Sequence, residues 1–284
     1  MALFLLHTNM SPLTNPPKPL RQSTIDILES VDNLPTLPDL FLHIQATLNN
    51  PESTLQDLTQ AIERDQVITA SIVKVANSSY YNPMGKPASS LSFAISRLGR
   101  AETSSIALSM ALLYGFSMPT GIANMRRFWA HAFAVGQICR KIAAHLPEQG
   151  HGGADQLFLT GLLHDIGRAI LGIRIDPQYF EQSFANLHGE ELVQAEQEVY
   201  GISHAEAGAI VLKQWGFPLA IYQCIQQHHD KQTSTLDGKI LSLADKITHQ
   251  YLTSVPSIEE AESILRASDF DDIIVKTLIE NGFL

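Results

Sequence analysis

Apolar residues recur every three to four positions along most of this chain, the spacing that gives a helix one buried face. The pattern starts near Ser23 and predicts helices over 40–48, 54–62, 67–75, 91–98 and 102–113. It resumes over 128–146, 154–171, 179–188, 190–199, 203–215, 219–229 and 236–251, with two short helices after that. Alternation with a period of two, the mark of a half-buried strand, is almost missing. The expected fold class is all-α, as two packed helical lobes. Residues 1–22, rich in proline, read as a flexible tail, 23–118 as an N-terminal lobe and 119–284 as a C-terminal lobe, with the seam between Tyr114 and Pro119.

Local signals punctuate the helices. Pro38 and Pro218 suit the first turn of the helices that follow them, and Ser53 is a candidate N-cap. The stretch from Asn77 to Pro83 breaks the periodicity. Ser203-x-x-Glu206 is a capping box that starts a helix at His204, and Gly216 reads as its stop. Trp129 and Trp215 read as core or seam anchors.

Composition narrows the function classes. With 45% apolar residues, 17% charged residues and mean hydropathy near zero (+0.02), the helices bury much of their surface against one another. The 29 acidic residues outnumber the 19 basic ones, a net charge of −10. That balance argues against nucleic acid as a partner. No apolar run reaches the length of a membrane span, and the short apolar start, Met1 to Leu6, lacks the basic flank of a signal peptide. A cytoplasmic protein is expected. Cys139 and Cys224 lie far apart, which disfavours a cysteine zinc site or a disulfide framework.

The densest chemistry lies in Gly161-Leu162-Leu163-His164-Asp165-Ile166-Gly167-Arg168. An adjacent His-Asp pair can offer one ring nitrogen and one carboxylate oxygen to a single cation, a mixture that suits Mn, Fe, Zn or Mg. Alone the pair says little, but His131, His204, His228 and His229 also fall at helix ends or inner faces, and Asp245 falls on an apolar helix face. Such groups are costly to bury unless hydrogen-bonded or ligated, and helical bundles build metal sites from them. Each has a plainer reading. His131 can be a hydrogen-bonded core histidine, and His164 with Asp165 a structural pair. Asp245 can pair with Lys246 or Arg168, and His204 can assist a helix N-terminus. Of His228 and His229 only one is expected to point inward, because adjacent helical residues diverge by about 100°. Arg168 is a candidate phosphate clamp, with the plainer reading, a charge partner for a nearby carboxylate, slightly favoured.

The order His131, His164-Asp165, Asp245 resembles the H…HD…D signature of the HD superfamily of metal-dependent phosphohydrolases. The surrounding words are more specifically similar to HDOD domains: Leu34-Pro35-Thr36-Leu37-Pro38, Asp65 followed by Lys74-Val75-Ala76-Asn77-Ser78, Ile95-Ser96-Arg97-Leu98-Gly99, and Glu196…Gly201…His204…Gly208 ending at Trp215-Gly216-Phe217-Pro218. The resemblance covers roughly residues 25–250. It implies an HD-like bundle in the second lobe and one or two divalent ions (Fe, Mn, Zn or Mg). His131, His164, Asp165 and Asp245 would hold the first ion, and His204 with one or both of His228 and His229 the second. HDOD proteins are usually described as bacterial signalling modules, which implies a regulatory function with a signalling protein or a small nucleotide-like ligand as partner. The alternative is an active metal-dependent phosphohydrolase, and a third reading is a metal-free scaffold. Relatives that cleave cyclic di-GMP carry a Gly-Tyr-Pro motif after their paired histidines and can place a glutamate one turn before the first histidine. Here Asp230-Lys231-Gln232 and Arg127 stand at those places, which disfavours that activity.

Overall fold

The structure, a computed structural model, describes residues 18–251 apart from 31–34, 84, 117, 119, 147–150, 182–183, 185–186, 231–232 and 234. The predicted tail up to residue 17 and the two short helices after 251 lie outside the described residues. Within them there are helices and no strands: α1 Lys18–Glu29, α2 Asp39–Asn49, α3 Leu55–Glu63, α4 Gln66–Ala76, α5 Leu91–Gly115, α6 Ile122–Ala144, α7 Ala154–Leu163, α8 Ile166–Arg174, α9 Gly189–Tyr200, α10 His204–Gln214, α11 Leu219–Gln226 and α12 Leu236–Tyr251. The all-α class is as the periodicity predicts. No described helix is long and apolar enough to cross a membrane.

Where sequence and structure part, the cause is local. The N-cap of α3 is Thr54, not Ser53: the Thr54 hydroxyl accepts from the Asp57 N–H while the Asp57 carboxylate accepts from the Thr54 N–H. Ser53 instead donates its hydroxyl to the Thr47 carbonyl. Pro38 and Pro218 sit one position earlier than predicted, as extended residues just outside α2 and α11. The two helices predicted on either side of residue 100 are present as predicted: α5 is two helical stretches joined across a kink at Gly99, whose φ of 80° and ψ of 169° are not helical and are rarely adopted by a residue with a side chain. Conversely, the stretch predicted as one helix over 154–171 is broken at His164-Asp165 into α7 and α8. The helix predicted over 179–188 is replaced in the described residues by turns, in which Asp176 accepts from Gln178 N and Tyr179 stacks on Phe184 at 5.3 Å. Those aromatic residues are buried through tertiary packing, which imitated a helical stripe in the sequence. The stop at Gly216 forms as predicted, with φ of 76° and Phe217 N donating back to Leu212 O.

Helices α2 to α5 pack against one another, α6, α7, α8, α10, α11 and α12 pack among themselves, and α5 also meets α6 and α7. The helix α1 begins at Lys18, before the predicted boundary at 23, and folds onto α9 and α10. There the Thr24 hydroxyl donates to Tyr200 O at 2.7 Å and Arg21 pairs with Glu206. Just past the end of α5, Phe116 lies between Trp129 and Trp215, 6.1 and 6.0 Å from their rings. Gln137 of α6 donates to the Glu102 carboxylate of α5 at 3.0 Å. Full burial of residues such as Phe41, Ile44, Leu58, Ile142 and Leu163 contributes about 1.5–3 kcal/mol each.

Candidate metal centre

Four structural devices bring the predicted residues together. His131 lies on the buried side of α6. The break between α7 and α8 frees His164 and Asp165 from a regular helical register, so both side chains turn into one space. The predicted capping box starts α10: Ser203 accepts from Glu206 N and Glu206 accepts from Ser203 N, which places His204 at the helix N-terminus. Asp245 comes from α12, and His228 and His229 from the turn just beyond α11. The backbones of α8 and α10 touch here. A Cβ built on Gly167 would lie 1.9 Å from His204 O, so only glycine lets Asp165 and His204 approach.

Two carboxylate oxygens act as hubs. Asp245 Oδ1 lies 3.1 Å from His131 Nε2, 3.5 Å from His164 Nε2 and 3.3 Å from His249 Nε2. Asp165 Oδ1 lies 3.5 Å from His164 Nε2 and 3.3 Å from His204 Nε2, which in turn is 3.0 Å from His229 Nε2. The ring nitrogens of His204, His228 and His229 lie within 4.8 Å of one another. Both neighbouring histidines therefore face the centre, contrary to the expectation that only one would. Helix α11 ends at Gln226, so the 100° rule for successive helical residues does not apply to them.

The hydrogen bonds fix which nitrogen is free. His164 Nδ1 is 2.8 Å from the Gly161 carbonyl and His228 Nδ1 is 2.6 Å from the Ile225 carbonyl. A carbonyl only accepts, so each Nδ1 must carry the proton. His204 Nδ1 is held the same way by Glu196 Oε2 at 2.7 Å. The Nε2 atoms then face the shared space, as lone pairs wherever the ring is neutral. Those of His164 and His228 are buried and have no hydrogen-bond partner. A lone pair facing carboxylates across 3.5 Å is repulsive unless a proton or a cation lies between them.

The electrostatics agree. Burial opposes charge on His164, but Asp165 and Asp245 outweigh it and lift its pKa to about 9. Burial, reinforced by His164 and His204, lowers His228 to about 4. Burial with His228 and His204 likewise lowers His229. The carboxyls of Asp165 and Asp245 resist burial and stay well below the usual range, Asp165 through His164 and Arg168, Asp245 through His131 and His164. Charged carboxylates beside the neutral rings of His228 and His229 suit a divalent ion, which would displace the proton that His164 otherwise holds on Nε2 at neutral pH. Donor atoms sharing one ion at about 2.1 Å stand about 3.0–3.4 Å apart, close to the spacings around both hubs. The residues present fit one or two divalent ions.

Behind these residues runs a second ring of contacts. Glu196, fully buried, accepts from His204 Nδ1, from His204 N at 2.7 Å and from the Tyr179 hydroxyl. Arg168 donates to Asp165 Oδ2 at 3.2 Å, to the Tyr179 hydroxyl at 3.2 Å and to Phe184 O at 3.4 Å. Arg168 thus pairs with the Asp165 carboxylate while also lining the cleft beside the centre. Asp245 pairs with histidines and with neither Lys246 nor Arg168. A cleft of about 190 Å³ opens beside the centre, lined by Asn124, Arg127, His131, Asp165, Arg168 and His249 among others.

Sequence reasoning missed His249 and His188, whose rings stack at 4.8 Å, and the anchoring role of Glu196 and Tyr179. His249 could have been found, since it lies four residues after Asp245 on the same helix face.

The fold and site define an all-helical protein with a candidate metal centre of histidines and aspartates gathered from separate helices. The HDOD domain matches residues 34–231, and the chain belongs to that family. It is similar to an HDOD domain protein of unknown function from Geobacter sulfurreducens, with 26% identity, a TM-score of 0.66 and coverage of 92% of this chain and 95% of that one. A Shewanella amazonensis SB2B protein, provisionally named a phosphohydrolase, shares the fold at 23% identity and a TM-score of 0.65, over 90% of this chain and 94% of that one. An uncharacterized protein of Treponema pallidum (strain Nichols) is 24% identical over 218 residues, 72% of this chain but only 39% of the relative's length.

Proposed function

We propose that this protein is a regulatory HDOD module whose centre holds one or two divalent ions and whose cleft receives a small phosphorylated, nucleotide-like ligand or a signalling partner's equivalent group. The observation that supports it is the pair of buried, unpartnered Nε2 atoms on His164 and His228, each with Nδ1 tied to a carbonyl. His131, His164, Asp165 and Asp245 would hold one ion, and His204, His228 and His229 the other. Such an ion supplies Lewis acidity toward a phosphoryl oxygen and makes water a better nucleophile. The chain does the rest. Glu196 keeps the His204 proton on Nδ1. Arg168 holds Asp165 by Oδ2 and leaves Oδ1 turned inward. Arg127, exposed on the cleft wall, offers a guanidinium that matches phosphate geometry. The first test is metal content by plasma mass spectrometry, on protein purified without chelator or histidine tag. About one or two equivalents, lost in His164→Ala, are expected. No metal after reconstitution with Mn, Fe and Zn would sink the reading.

A second reading, a metal-dependent phosphohydrolase, is favoured by one feature: the cleft reaches His131 and Asp165 themselves, so a phosphoester entering it meets the centre. The expected result is turnover of a nucleotide or other phosphoester with Mn or Fe, abolished in Asp165→Ala. A fully metallated protein that turns over nothing across a broad panel leaves regulation alone standing.

A further inference from the structure

Three imidazole Nε2 atoms surround Asp245 Oδ1, and His249 at 3.3 Å is one of them. The family signature accounts for His131 and His164 but says nothing of His249. Its ring lies 4.4 Å from that of His131 and stacks on His188 at 4.8 Å with an 18° interplanar angle, so its orientation is held from both sides. The side chain is 29% exposed and stands on the cleft wall, where the buried residues leave the centre open.

A plain hydrogen bond within α12 accounts poorly for this arrangement. A carboxylate oxygen has two lone pairs, and Asp245 Oδ1 already faces His131 at 3.1 Å and His164 at 3.5 Å. Three ring nitrogens crowded on one oxygen at these spacings match donor atoms sharing an ion, as around the other hub.

Resting on the metal-centre reading above, we propose that His249 is a further ligand of the ion held by His131 and Asp245, closing that site from the cleft side. Three imidazoles beside carboxylates favour a transition metal over Mg, which prefers oxygen donors.

The test uses cobalt(II) as the probe, on the full chain stripped by chelator and then dialysed. Affinity and visible absorption are compared for the wild type, His249→Ala, His249→Asp and His131→Ala. His249→Ala is expected to weaken cobalt binding by about tenfold or more and to alter the absorption bands. His249→Asp should recover most of the affinity with a spectrum of its own, because a carboxylate can ligate where an imidazole did. If His249 merely donated to Asp245, an aspartate there would repel it and rescue nothing, which would overturn the proposal. It also falls if His249→Ala matches the wild type while His131→Ala loses the ion; the centre itself then stands. Absence of cobalt uptake by the wild type would remove both the ligand and the centre.

Discussion

At His204 the imidazole is held from behind, with Glu196 accepting both the Nδ1–H and the backbone N–H at 2.7 Å. Removing a buried acceptor leaves those donors unpaired, so Glu196→Ala should lower stability by about 2–3 kcal/mol in urea denaturation. It should also weaken metal binding about 10- to 100-fold, because the ring loses its fixed tautomer and direction. Unchanged affinity in a folded variant would mean that Glu196 only packs. The cysteines make a contrasting residue-scale case. Burial pushes the Cys139 thiol well up, and Cys224 to about 12. Neither should react with Ellman's reagent at pH 8 until the chain is unfolded. At this scale the sequence revealed the candidate ligand types, because histidines and aspartates beside apolar helix faces need partners. It carried His249 only as the residue four positions after Asp245 on α12, and the approach of that ring to His131 depends on where α12 lies against α6.

Helix boundaries decide which of these residues meet. The apolar spacing runs on through Ile166, Ala169 and Ile170, so periodicity joins α7 to α8 and hides the break that presents His164 and Asp165. The contact between α8 and α10 is similarly invisible in the sequence, since nothing local requires Gly167 to be small. Gly167→Ala forces the two backbones apart. It should cost roughly 2 kcal/mol or more and reduce metal stoichiometry, read by thermal melting and plasma mass spectrometry. Thr54→Ala removes the α3 cap far from the centre and should cost about 1 kcal/mol with full metal content retained. Equal metal content in both variants would show that the α8–α10 approach does not shape the site. The capping box at Ser203 and the stop at Gly216 were legible because both are made by residues close in sequence.

Over the whole molecule the clustered histidines tie stability to pH. Burial and neighbouring rings lower His228 to about 4, and burial lowers His249 to about 4, both from the ordinary 6.5, with His229 shifted the same way. The fold keeps these groups neutral, so their contribution is intact above about 6.5 and declines as pH falls toward 4. His164 acts oppositely. Raised to about 9, it stabilises fully below 6.5 and loses that contribution as pH rises through 9. Chelated protein should therefore be most stable near pH 6.5 in urea titrations made with EDTA. A flat profile from pH 5 to 9 would contradict the charge arrangement at the centre.

Apolar spacing, the acidic balance and the ordered His and Asp words by themselves determined the helical class, the resemblance to HDOD proteins and most of the candidate ligands. These signals are carried by residues near one another in the chain or by its overall composition. Only the tertiary structure decided that α1 folds onto α9 and α10, that α7 and α8 part at His164, that both His228 and His229 turn inward, and that His249 meets His131 beside Asp245. Each of these depends on how distant segments pack, because a side chain's direction is set by the position and end of its helix as much as by its place in the sequence.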